Sequence, residues 1–151
     1  MKTHRVVVVA ILAALLSGCG LDLLLADWKV DRLCKKDGGV KVYVREPAPP
    51  ALLQADGKVD IRALMYPKPG QSHVLKYTST DVQTGEPYIF RSEYRLFRSA
   101  DNTLMGIAVT YNRRAQNLGI PFLARRPYSC PSTKQAIELV DQAFSVNSEG
   151  R

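Results

Sequence analysis

Three alternating runs joined by short turns most restrict what this chain can fold into. Val74–Val82 reads as a strand, Gln83–Pro87 as a turn and Tyr88–Arg98 as a second strand. Ser99–Asn102 is another turn and Thr103–Tyr111 a third strand. Alternation with a period of two is the signature of a half-buried strand, and turns this short leave only antiparallel neighbours. Tyr88, Phe90, Tyr94 and Leu96 fall on one face of the second run, and Arg91, Glu93 and Arg95 on the other, read as its wet face. Met105, Ile107, Val109 and Tyr111 share one side of the third. Val40–Arg45, rich in Val and alternating, supplies a fourth strand before the Glu46–Pro50 break.

A sheet with an apolar face needs cover, and the pattern offers a helix at each end. Asp27 reads as an N-cap, Ala26, Val30, Leu33 and Cys34 share one face, and Gly38-Gly39 stops the turn sequence. Near the other end, Ser132 and Gln135 have capping-box spacing ahead of an apolar stripe of Ala136, Ile137, Val140, Ala143 and Phe144. Val59–Tyr66 fits a strand or a short helix. The expected class is α+β: an antiparallel sheet of about four strands with an N-terminal and a C-terminal helix packed on it. The expected globular domain is 27–145, with 146–151 a flexible end.

The start of the chain follows another logic. Met1–Arg5 is basic, and Val6–Leu16 is a run of 11 apolar residues, too short to span a bilayer but right for a secretory signal. Leu16-Ser17-Gly18-Cys19 follows. That order resembles the lipobox of bacterial lipoproteins. The resemblance implies cleavage before Cys19, removal of 1–18, lipid on the Cys19 thiol, and a lipidated tether over 19–26 whose leucines lie against the membrane. Two or three acyl chains give stable attachment without a span. Gly20 in place of aspartate resembles members sorted to the outer membrane, facing the periplasm where the source has two membranes. An uncleaved membrane helix running on through Leu25 is the rival, and Ser17, Gly18, Gly20 and above all Asp22 stand against it. An ordinary cleaved signal would leave Cys19 accidental.

With Cys19 lipidated and the chain exported, Cys34 and Cys130 remain as an even pair, which implies a disulfide. It would close a loop of about 97 residues, a constraint of about 4–5 kcal/mol in the chain-entropy picture. Two free buried thiols or a metal pair are the alternatives, and no cysteine or histidine cluster adds ligands for a metal. Without Lys2 and Arg5 the formal charge of +7 falls to +5, 19 basic against 14 acidic side chains. That balance fits lipid head groups or acidic cell-wall polymers as partners, and equally plain solubility. The export signal directs the chain away from nucleic acid.

Catalytic patterns are sparse. His73 beside Ser72 is the one histidine after the signal, and a neighbour pair is not a triad without an orienting acid. A surface histidine at a strand start is the plain reading. Asp27/Asp31, Asp56/Asp60 and Glu138/Asp141 are local acidic pairs explained equally by capping, turns and a solvated helix side. No cofactor motif stands in the sequence. The basic, aromatic stretch 112–131 is the best binding candidate: Arg113, Arg114, Arg125, Arg126 and Tyr128 present guanidinium forks and a flat ring suited to carboxylates or phosphates. A solvated loop crossing the sheet edge is the competing account. The sequence points to an envelope lipoprotein without catalytic machinery, tethered through Cys19 and binding an envelope protein or a cell-wall polymer. A cell-wall-directed enzyme or a lysozyme-inhibitor-like protein is the alternative.

Overall fold

The computed structural model describes residues 21–115, 126–131 and 133–145. In chain order the elements are α1 (Leu21–Asp37), β1 (Gly39–Val42), β2 (Glu46–Pro47), a 3₁₀ turn (Pro50–Leu52) and α2 (Ile61–Met65). There follow β3 (His73–Gln83), β4 (Ile89–Arg98), β5 (Thr103–Arg113), β6 (Tyr128–Cys130), α3 (Gln135–Ala143) and β7 (Phe144–Ser145). The α+β class and the β3–β4–β5 meander are as the alternation requires. The main sheet has the order β1-β5-β4-β3. β5 is shared on its outer edge: β1 pairs with Gly106–Val109 and β6 with Tyr111–Arg113, both antiparallel. β2 and β7 form a separate parallel pair.

The two end helices take opposite faces of the sheet. Side chains alternate along a strand, so neighbours on β5 serve different layers. Val109 and Tyr111 pack with Ala26, Val30 and Cys34 of α1, while Ala108 joins Leu139, Val140 and Ala143 of α3. The α3 side is the larger core and adds Leu75, Leu96, Leu64 and Leu52. Gly106 lets α3 approach closely: a Cβ there would lie 2.7 Å from Leu139 Cδ1 and 2.8 Å from the Lys41 carbonyl oxygen.

A bulge corrects the expected face of Met105. Leu96 pairs with Gly106 and Phe97 with Leu104, so Met105 is the extra residue. Its carbonyl accepts from the amides of Tyr43 (2.8 Å) and Val44 (3.1 Å), and its side chain is buried in the α3 core. Ile107, Val109 and Tyr111 remain on the α1 side.

α1 departs most from the sequence reading. Residues 21–26 are helix rather than tether, and Asp27 lies inside the helix rather than capping it. The stretch holds no proline or glycine to stop a helix, and leucine favours one. Leu23 and Ala26 extend the buried stripe of Val30 and Cys34 toward the N-terminus. At the other end the cap is also different. Lys134 occupies the N-cap of α3, with no side-chain cap hydrogen bond, and Ser132 of the expected capping box lies outside the described residues. The ambiguous 59–66 segment resolves as α2, whose first turn is capped by the Asp60 carboxylate accepting from the Ala63 amide at 3.0 Å. Cys19, Arg125 and the 146–151 end lie outside the described residues.

Candidate functional site

The face of α1 that meets β5 and β6 carries a row of acids, and the basic-aromatic stretch supplies their partners. Arg113 is 4% exposed. Its guanidinium donates to Asp27 Oδ1 at 2.5 Å and to the carbonyls of Arg114 (3.1 Å) and Arg126 (3.2 Å). One turn along, the Tyr128 hydroxyl donates to Asp31 Oδ1 at 2.6 Å. A turn further, Cys34 is disulfide-bonded to Cys130, with Cα atoms 5.8 Å apart. At the helix end the Tyr111 hydroxyl donates to Asp37 Oδ1 at 2.7 Å. A fork must have free donors to grip a ligand. Arg113 is buried and its donors are used inside this seam, so the expectation that it binds a partner is corrected; Tyr128 is half-buried with its hydroxyl on Asp31. The Asp27/Asp31 pair is accounted for by the same seam.

The hydrogen bond from Tyr128 to the Asp31 carboxylate, reinforced by burial, pushes the phenol up to about 12. Burial and the Asp37 carboxylate raise Tyr111 in the same direction.

On the expected wet face of β4, Arg95 is exposed and Arg91 half-buried, but Glu93 is not in water. Glu93 is buried, its carboxylate held between Arg91 and Arg95, and Arg91 reaches Asp37 at 3.4 Å.

Arg114 and Arg126 remain available, and both are exposed. Arg114 stacks over the ring of Tyr88, 4.4 Å from its centroid, and lies 6.0 Å from that of Phe90. The two rings are 5.7 Å apart, and the Arg114 amide donates to the Tyr88 carbonyl at 3.1 Å. Tyr88 also donates to Asp81, whose carboxylate raises the phenol's pKa. An exposed guanidinium resting on an aromatic pair can take a carboxylate or phosphate.

A second cluster lies at the opposite end of β4. His73 is buried, 4% exposed, rather than at the surface. The burial comes from β7, whose Phe144 meets the imidazole edge-on at 5.0 Å, and from β2. Nε2 contacts Glu46 Oε1, and Nδ1 lies 2.9 Å from Oγ of the exposed Ser72. The network is self-consistent with Nε2–H donating to Glu46 and Ser72 O–H donating to Nδ1. Arg98 clamps the other carboxylate oxygen of Glu46 at 2.8 and 3.1 Å and reaches Asp101 at 3.1 Å. Ser72 opens on a shallow cleft with Ala51, Ala63, Lys68 and Gly70. The sequence singled out the Ser-His pair but not its acid: Glu46 is 27 residues away, beside a proline-rich break that gives no directional signal.

Three acids of the remaining pairs have structural duties. Asp56 accepts from the Lys58 amide and pairs with its ammonium, Asp60 caps α2, and Glu138 accepts from Gln135 at 2.7 Å. Among the described residues no cluster of three or more His, Cys, Asp or Glu side chains could hold a metal ion. The chain matches no protein-family model, no curated protein and no solved structure.

Two outcomes follow from the seam. Arg113→Ala should cost about 2 kcal/mol in chemical denaturation. That is less than a fully buried pair because Asp27 keeps 32% of its side-chain surface in water. Arg114→Ala should cost under about 1 kcal/mol. Equal losses would show that Arg113 is no more structural than its neighbour. The Tyr128 phenol has a raised folded pKa, so its contribution is complete below about pH 10 and disappears as pH climbs to about 12. Tyr128→Phe should therefore lower Tm at pH 8 and shallow the alkaline fall of Tm over that window.

Proposed function

We propose that this protein is a lipid-anchored lipoprotein of the bacterial envelope that acts as a binding or assembly module. In this reading lipid on Cys19 attaches it to a membrane, on the periplasmic side of the outer membrane where the source has two. The observation that carries the reading is the Cys34–Cys130 bridge. Such a cross-link persists in an oxidising compartment, which is where the lipobox-like start would deliver the chain. Cys34 lies in α1, whose first described residue, Leu21, is two positions after Cys19 in sequence.

The partner-facing group in this proposal is Arg114 on Tyr88 and Phe90, with Arg126 nearby in sequence to β6. Its chemistry fits carboxylates or phosphates of an envelope protein or cell-wall polymer. The test uses the full-length chain in bacterial membranes. Mass spectrometry should find an acylated Cys19 as the first residue, and Cys19→Ala should leave a precursor that retains 1–18. Mild cross-linking should capture an envelope component that the Arg114→Ala/Arg126→Ala double variant captures at least tenfold less. An unmodified Cys19 still joined to Gly18 would sink the anchor, and unchanged capture by the double variant would sink the binding face.

The Ser72–His73–Glu46 line favours a second reading, a hydrolase acting on the cell wall. An exposed hydroxyl against an imidazole whose other nitrogen meets a carboxylate is the arrangement nucleophilic catalysis employs. Arg98 on Glu46 gives the same line a structural explanation: it ties β2 to the ends of β3 and β4. A fluorophosphonate probe decides between them. Labelling of Ser72 that vanishes in Ser72→Ala supports the hydrolase, and absence of labelling in the folded protein removes it.

A further inference from the structure

The outward face of α1 has chemistry that its docking on the sheet does not explain. At about 100° per residue, positions 21, 24, 25, 28, 32, 35 and 36 fall within an arc of about 120°. The buried stripe of Leu23, Ala26, Val30 and Cys34 lies on the other side of the helix. Along the outer arc the residues are sorted by type. Leu21, Leu24, Leu25 and Trp28 occupy the N-terminal half and are 59%, 64%, 55% and 61% exposed. Arg32, Lys35 and Lys36 occupy the C-terminal half, also exposed, and Arg32 sits 5.7 Å from the Trp28 ring. Four large apolar side chains in one exposed stripe mark a surface that meets something.

We propose that this face of α1 lies on the lipid bilayer and is a second membrane contact beside the Cys19 anchor; the proposal rests on the lipoprotein reading. Two features select lipid as the occupant. The apolar half begins two positions after the residue that would carry the acyl chains, so anchoring brings these leucines to the acyl boundary. The cationic half complements anionic head groups, where each basic side chain adds about fivefold to partitioning. Tryptophan favours the interface between the two. No described helix is long and apolar enough to cross a membrane.

The contact would also orient the body. Ile89 faces α1, so by strand alternation Phe90 faces the other way, and Arg114 lies with it and Tyr88. With α1 on the bilayer, the Arg114–Tyr88–Phe90 group points away from it.

Trp28 is the one tryptophan of the chain and reports the contact directly. The experiment takes full-length lipoprotein reconstituted into vesicles of phosphatidylethanolamine and phosphatidylglycerol, some with brominated acyl chains. Trp28 emission should shift to the blue relative to urea-unfolded protein and be quenched by bromines near the head groups. Leu24→Ser/Leu25→Ser, at exposed positions, should abolish both effects while the protein stays with the vesicles. Arg32→Gln/Lys35→Gln/Lys36→Gln should weaken the quenching. The mass of the Cys19 peptide is read on the same sample. An acylated Cys19 with Trp28 unquenched by bromine and open to acrylamide overturns the helix contact and spares the anchor. Bromine quenching with an unmodified Cys19 overturns the anchor and spares the contact. Protection from acrylamide without bromine quenching would place a protein on the stripe and overturn the proposal.

Discussion

The seam between α1 and the β5–β6 edge is the constraint on which the rest of the structure depends. It joins the first described helix to strands 74 to 97 residues later through Arg113–Asp27, Tyr128–Asp31, the Cys34–Cys130 disulfide and Tyr111–Asp37. The apolar layer beneath it is small, so directional contacts and a covalent link carry much of the docking. Without that seam the sheet would keep its α3 core and lose the cover on its other face. The close fit extends to Gly38, where a Cβ would lie 2.7 Å from the Cys34 carbonyl oxygen and 2.9 Å from its sulfur.

The same seam divides the basic-aromatic stretch into structural and available members. Residues that look alike in sequence, Arg113 and Arg114, find different surroundings at the end of β5. One is sealed against an acidic helix, and the other rests on two rings at the surface. The available group is small and lies on the opposite side of the sheet from α1. That separation gives the proposed module two poles, an anchoring face and a partner-facing one, built on a single sheet.

At the far end of β4 the Glu46–Arg98 ion pair performs a comparable role for the β2–β7 flap, with His73 buried beneath it. The sequence showed the Ser72-His73 pair and a break at Glu46-Pro47, yet nothing local relates them. The reading of His73 as a surface group failed because a two-residue strand, β7, closes over it. Likewise the Arg91-Glu93-Arg95 alternation was correctly seen as a separate strand face. The burial of Glu93 within it has no local signal, because it depends on how the Arg91 and Arg95 side chains fold over the carboxylate.

Local periodicity was enough to determine the meander, the α+β class and the inward stripe of α1. Those depend on hydrophobic spacing that repeats every two or 3.6 residues. The even cysteine pair could also be read directly, because few alternatives were left once Cys19 was set aside. Tertiary structure alone decided which face each helix covers, that Met105 turns over at a bulge, and where each charged group finds its partner. Those partners stand 27, 86 and 97 residues apart for His73–Glu46, Arg113–Asp27 and Tyr128–Asp31. Spacing along the chain says nothing about such distances; they are set by the order in which strands assemble and by which side of the sheet remains to be covered.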